Sequence, residues 1–165
     1  MKKYLNHFIE HKRATMLGVG PMSKNCIDAS CEIASKNTPI MLIASRRQID
    51  CKELGGGYVE NWSTEEFSKY VNKKNKHIIL CRDHGGPWQN NIEIDKKLNL
   101  KDAMDSAKLS YKKDIDNNFK IIHIDTCINP HKKKISTKES LERLFELMSF
   151  CFEYSQKKIR KFYLR

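Results

Sequence analysis

Apolar residues along this chain gather in short runs separated by amphipathic stretches, and the alternation repeats four times. Residues 14–20 (ATMLGVG), 40–44 (IMLIA), 77–81 (HIILC) and 120–124 (KIIHI) are too short for buried helices and read as strands covered on both faces. Between them the period changes to three and four residues. Ile27, Ser30, Cys31 and Ala34 share one face of a helix that Ser23 caps and residues 37–39 terminate. Phe67, Tyr70 and Val71 face inward from a helix opened by a Ser63–Glu66 capping box. Ala103, Ala107, Ser110 and Tyr111 mark a third helix. A second capping box, Ser136–Glu139, precedes a fourth, whose Leu141, Leu144, Phe145, Met148 and Phe152 form a broad apolar stripe. Leu5, Phe8 and Ile9 predict a short leading helix over residues 4–11.

Strands that each feed a helix imply a parallel sheet with right-handed crossovers. The expected fold class is therefore α/β of the (β/α) TIM-barrel type. About four βα units make half a barrel or a truncated one, in a single domain over residues 1–165 with a basic tail at 157–165. A flavodoxin-like open sheet satisfies the same pattern. The loops after strands two, three and four are long, which places function at the carboxyl ends of the strands. GVGPMSK after the first strand lacks both the dinucleotide fingerprint and the P-loop spacing. Closing a barrel takes about 200 residues or more, so the expectation is a truncated product, a dimerising half barrel or one part of a split protein. Open sheet edges favour self-association or poor solubility.

Composition narrows the classes further. Hydrophobic content of 39% and charged content of 31% suit a globular chain, and no apolar run is long enough to span a membrane. Residues 1–13 lack the apolar core of a secretory signal, so the expected location is cytoplasmic. The net charge of +11 is spread along predicted helix faces, with dense clusters only at residues 132–134 and 157–165. That spacing reads as solvated surface rather than a nucleic-acid footprint. An anionic sugar phosphate or an acidic partner would use the same charge. None of the six cysteines forms a CxxC pair, and reduced thiols are expected.

Polar residues cluster just past the strands. The second strand ends in Ser45-Arg46-Arg47-Gln48, the third in Arg82-Asp83-His84-Gly85-Gly86-Pro87-Trp88 and the fourth in Asp125-Thr126-Cys127. An imidazole beside a carboxylate suits a divalent metal such as zinc on His84, with Asp83 shuttling a proton and Asp125 holding a sugar hydroxyl. The competing reading is that Asp83 and Asp125 cap loop amides. Arg46 and Arg47 either clamp a phosphate or lie on the surface. Gly55-Gly56-Gly57-Tyr58 either approaches a ligand or makes a flexible turn. His123 is expected to pack or hydrogen-bond within its strand, His131 to be exposed, and Trp62 and Trp88 to cover the rim.

Gln48, Gly56-Gly57-Tyr58, Trp62-Ser63-Thr64-Glu65-Glu66-Phe67, Ile78-Ile79-Leu80, Asp83-His84-Gly85-Gly86-Pro87 and Ile122-His123-Ile124-Asp125 carry a family resemblance. Over about residues 17–127 the chain resembles the non-catalytic (accessory) subunit of class II D-tagatose-bisphosphate aldolase. The resemblance implies a TIM barrel and a role in galactitol or amino-sugar catabolism, supporting the activity and stability of a separate catalytic subunit. The Asp-His-Gly also resembles catalytic class II aldolases, which implies a proton-donor role for Asp83 and a zinc-ligand role for His84. The further metal-binding histidines of those enzymes come from later strands, which these 165 residues do not include. Expected substrate contacts are Ser45, Arg46, Gln48, Gly57, Tyr58, Gly85 and Gly86. Expected partners are a sugar phosphate and either a catalytic aldolase subunit or a second copy of this chain. A metal-dependent sugar-phosphate lyase or epimerase is the alternative.

Overall fold

The computed structural model describes residues 15–163. Four parallel strands, β1 (Leu17–Val19), β2 (Ile40–Ser45), β3 (Ile78–Gly85) and β4 (Ile121–Ile124), lie side by side in sequence order. Between them run α1 (Lys24–Ile33), α2 (Thr64–Lys74), the short α3 (Asn91–Asp95) and α4 (Leu100–Asp116), and α5 (Thr137–Tyr163) follows β4. A doubly wound sheet reverses its strand order partway; this one does not. The order β1-β2-β3-β4 is that of half a (β/α)₈ barrel.

The two faces of the sheet are chemically distinct. Ile40, Leu42 and Ala44 of β2 and Ile78 and Leu80 of β3 pack against Ile27, Cys31, Phe67 and Val71 of α1 and α2. By the period of two, Met41, Ile43, Ser45, Ile79, Cys81 and Asp83 point to the opposite, inner face. Gly18 belongs there too, because a Cβ on it would come within 2.5 Å of Ile43 Cδ1. On the helix side of β3 stands Arg82, fully buried. It donates through Nε and Nη2 to the two Asp114 carboxylate oxygens (2.8 and 2.6 Å) and through Nη1 to the carbonyls of Ala44 and Ile49. Paired and hydrogen-bonded in this way, the charge is tolerated in the core.

The helix starts follow the capping chemistry. Ser23 Oγ accepts from the Cys26 amide, and both capping boxes form: Ser63 with Glu66, and Ser136 with Glu139. Four expectations change. The first strand is confined to Leu17–Val19, β3 runs on through Gly85 instead of ending at residue 81, and the loop after it contains α3. The fourth concerns α5, whose expected stripe divides. Leu147 is buried against α4, whereas Leu141, Phe145, Met148 and Phe152 face outward, 44 to 64% exposed. The helix reaches Tyr163, so most of the basic tail from residue 157 is helical. The leading helix expected at residues 4–11 lies outside the described residues.

Candidate functional site at the strand ends

The carboxyl end of β3 is irregular, and the irregularity places the polar residues. Arg82 pairs with Ile122 but Gly85 with Ile124, so β3 carries one residue more than β4 across the same step. This is a β-bulge, a device that re-aims side chains next to functional sites. The extra residue falls at His84, whose φ of 39° lies in the left-handed region that a non-glycine residue enters only with strain. Regular alternation would send Asp83 and His84 to opposite faces. With the bulge, both reach the same cluster.

That cluster is an alternating string of imidazoles and carboxylates. His123 Nδ1 lies 3.2 Å from Asp83 Oδ1, His84 Nε2 is 3.6 Å from Asp83 Oδ2, and His84 Nδ1 is 2.9 Å from Asp125 Oδ2. Gln89 Nε2 donates to the same Asp125 oxygen at 2.8 Å, and the Cys127 amide donates to Asp125 Oδ1 at 3.0 Å. The His84 and His123 side chains are 57% and 56% exposed, so the string lies open to a ligand. Partial burial alone would raise the Asp125 pKa, but the His84 hydrogen bond, the Cys127 amide and the positive field of both histidines hold it below its ordinary value. Asp125 is the fixed anion of the site.

Two glycines let the backbones approach. A Cβ on Gly85 would lie 2.5 Å from Tyr111 Cε1 and 2.7 Å from the His123 carbonyl oxygen, and one on Gly86 would lie 1.9 Å from the Asp125 carbonyl oxygen. They position the loop against β4. Beneath it runs a buried frame: Arg46 Nε donates to Asp50 (2.9 Å), Nη1 to the Gly86 carbonyl (2.7 Å), and Nη2 pairs with Glu93 (2.6 Å). Glu93 also accepts from the Trp88 amide and from Ser106, and Asp50 from Asn90 and Ser110.

The residues expected from the sequence separate into three groups. Asp83, His84, Gly85, Gly86 and Asp125 come together, with Ser45 paired in register beside Asp83. Gln48 and Tyr58 meet at the neighbouring strand ends through Met22, whose sulfur lies 3.0 Å from Gln48 Nε2 and 3.5 Å from Tyr58 Oη. Gly57 packs on the Gln48 backbone, where any Cβ would collide. Arg46 is fully buried, and its guanidinium is directed into the frame instead of toward solvent. His123 hydrogen-bonds as expected and stands in the cluster as well. Gln89 and Glu93 were not anticipated. Trp88 is buried rather than covering an open rim, its ring under the Arg143 guanidinium at 5.3 Å.

His84, His123, Asp83 and Asp125 are donors of the kind that zinc chemistry accepts. Nδ1 of each imidazole faces a carboxylate, and among the described residues no three histidine, cysteine or carboxylate side chains converge on one point. No step through a metal follows from this geometry. The arrangement can hold a proton within each hydrogen-bonded pair, His84 with Asp125 and His123 with Asp83, and it offers acceptors and imidazole donors to adjacent hydroxyls.

No protein-family model matches the sequence, and no curated protein does. Among solved structures the chain is similar to a probable tagatose 6-phosphate kinase from Sinorhizobium meliloti 1021, with a TM-score of 0.61 and 20% identity. The match covers 78% of this chain and 33% of that one, so the chain spans about a third of the structure it resembles. At that identity the likeness establishes the fold: alternating strand–helix units with a parallel sheet.

Proposed function

We propose that this chain binds a sugar phosphate at the carboxyl ends of its strands and serves as an accessory subunit to a class II tagatose-bisphosphate aldolase. The observation that carries the reading is the His123–Asp83–His84–Asp125 string at the β3 bulge. Vicinal sugar hydroxyls need acceptors and donors in alternation, which carboxylates and imidazoles supply. The chain's surplus of positive charge favours an anionic ligand. The solved structure just described is named for a sugar-phosphate kinase, which agrees with the substrate class. Retro-aldol cleavage of the ketose bisphosphate into two triose phosphates is assigned to the separate catalytic subunit.

Co-expression with such a catalytic subunit tests the proposal. The soluble aldolase activity should rise several-fold over the catalytic subunit alone, and Asp125→Asn should remove most of the gain. An unchanged yield and rate would refute the accessory role. Should dialysed protein retain stoichiometric zinc that His84→Ala abolishes, the chain is itself a metal-dependent lyase and the accessory reading gives way to that one.

A further inference from the structure

The loops that lead into α4 and α5 enclose a cavity that shares no residue with the strand-end string. Its volume is about 360 Å³, which suits a small ligand, and Trp88, Lys97, Leu100, His131, Lys132 and Arg143 line it. Arg143 of α5 is only 5% exposed. Its guanidinium lies over the Trp88 ring at 5.3 Å, and Nη1 donates to the Ile128 carbonyl at 3.2 Å. The buried Nε has no acceptor among the described residues. Glu139 is the one carboxylate on the cavity wall, and it is committed elsewhere, to the Ser136 capping box and to Lys132. A buried cation without a close counter-ion is costly to keep. Burial accordingly draws the Arg143 pKa below its ordinary value against the field of Glu139.

We propose that this cavity binds phosphate, as the free ion or as the phosphoryl group of a small metabolite. The Nε–Nη2 edge of an arginine takes two oxyanion oxygens at once, which supplies the acceptor that Arg143 Nε lacks. The N-terminus of α4 stands at the same cavity, since Asn99 and Leu100 are both on its wall. Asn99 caps the Asp102 amide, so the Leu100 and Lys101 amides, the first two of a 17-residue helix, have no partner within it. Such an end carries partial positive charge and favours an anion. A doubly charged oxyanion balances Arg143 and Lys97 together, which a monocarboxylate does not. Leu100, 43% exposed, offers an apolar wall to whatever group carries the phosphate.

Proton–nitrogen NMR of the full chain tests this, with inorganic phosphate added at constant ionic strength as the probe. The expected result is saturable shifts of the Arg143 Nε–H and of the Leu100 and Lys101 amides at millimolar phosphate. Arg143→Lys keeps the charge and loses the fork, and should weaken binding at least tenfold at those two amides. Lys97→Gln changes an exposed side chain and should weaken it several-fold, with circular dichroism unchanged. Glycerol 3-phosphate separates the two sources: tighter binding than phosphate assigns an organic phosphate, and equal or weaker binding assigns the free ion. Absence of saturation, or the same shifts with chloride, overturns the inference. Undiminished binding in either folded variant overturns it too. Phosphate shifts confined to Asp83, His84 and Asp125 contradict this site while leaving the strand-end reading intact.

Discussion

His84 holds a left-handed backbone at φ 39° while its imidazole hydrogen-bonds Asp125 and stands 3.6 Å from Asp83. Backbone strain and the imidazole contacts are therefore separable at this one residue. His84→Ala should lose the imidazole and keep the strain, whereas His84→Gly should lose both. Urea unfolding should rank His84→Gly the more stable of the two by about 1 kcal/mol. Asp125 gives a pH signature. Its folded pKa lies below the ordinary carboxylate value, so its contribution is complete above about pH 3.9 and is lost as pH falls through the folded value. Asp125→Asn should therefore destabilise the protein at neutral pH and converge with the wild type in acid. The thiols divide by environment: Cys51 and Cys81 are buried, and burial pushes each to about 12, whereas Cys127 is exposed. A thiol reagent at pH 8 should label Cys127 early and reach Cys51 and Cys81 only on unfolding. Of these features the sequence showed Asp83, His84 and Asp125, because all three follow apolar runs. His123 could have joined them, since it stands two residues before Asp125 on the same strand face. The bulge could not be read, because its cause is a register shift against β4.

At the scale of elements, the signals that held are local ones. Ser63–Glu66 and Ser136–Glu139 satisfy helix amides within four residues of sequence, and both boxes form as their spacing predicts. Ser63→Ala should cost about 1 kcal/mol in chemical denaturation, as the loss of an N-cap does. Elements that depend on distant partners were less legible. β3 continues through Arg82 because that guanidinium finds Asp114 on α4, 32 residues away. A charged residue otherwise signals the end of a buried strand. Arg82→Met should cost about 3–5 kcal/mol by leaving Asp114 unpaired in the core, and Arg82→Met with Asp114→Leu should recover much of it. Arg46 was misplaced for the same reason: its carboxylates, Asp50 and Glu93, come from one position four residues on and another in α3. The α5 stripe was visible as apolar periodicity, but periodicity does not say which side of a helix lacks a neighbour.

For the molecule as a whole, strand order is the informative quantity. Four parallel strands in sequence order make a barrel segment, and the alternation of runs and helices made that class legible from the sequence. The proposed ligand and partners rest on resemblance, because no periodicity encodes them. The strand-end cluster is the proposed sugar-phosphate site. Backbone amide NMR titration with D-tagatose 1,6-bisphosphate tests that most directly. Binding there should give saturable shifts centred on Asp83, His84, Gln89, His123 and Asp125, weakened about tenfold by Asp125→Asn, or about 1.4 kcal/mol. Shifts absent at millimolar ligand, or centred on the separate groove between α4 and α5 lined by Met104, Lys108 and Arg143, would contradict it.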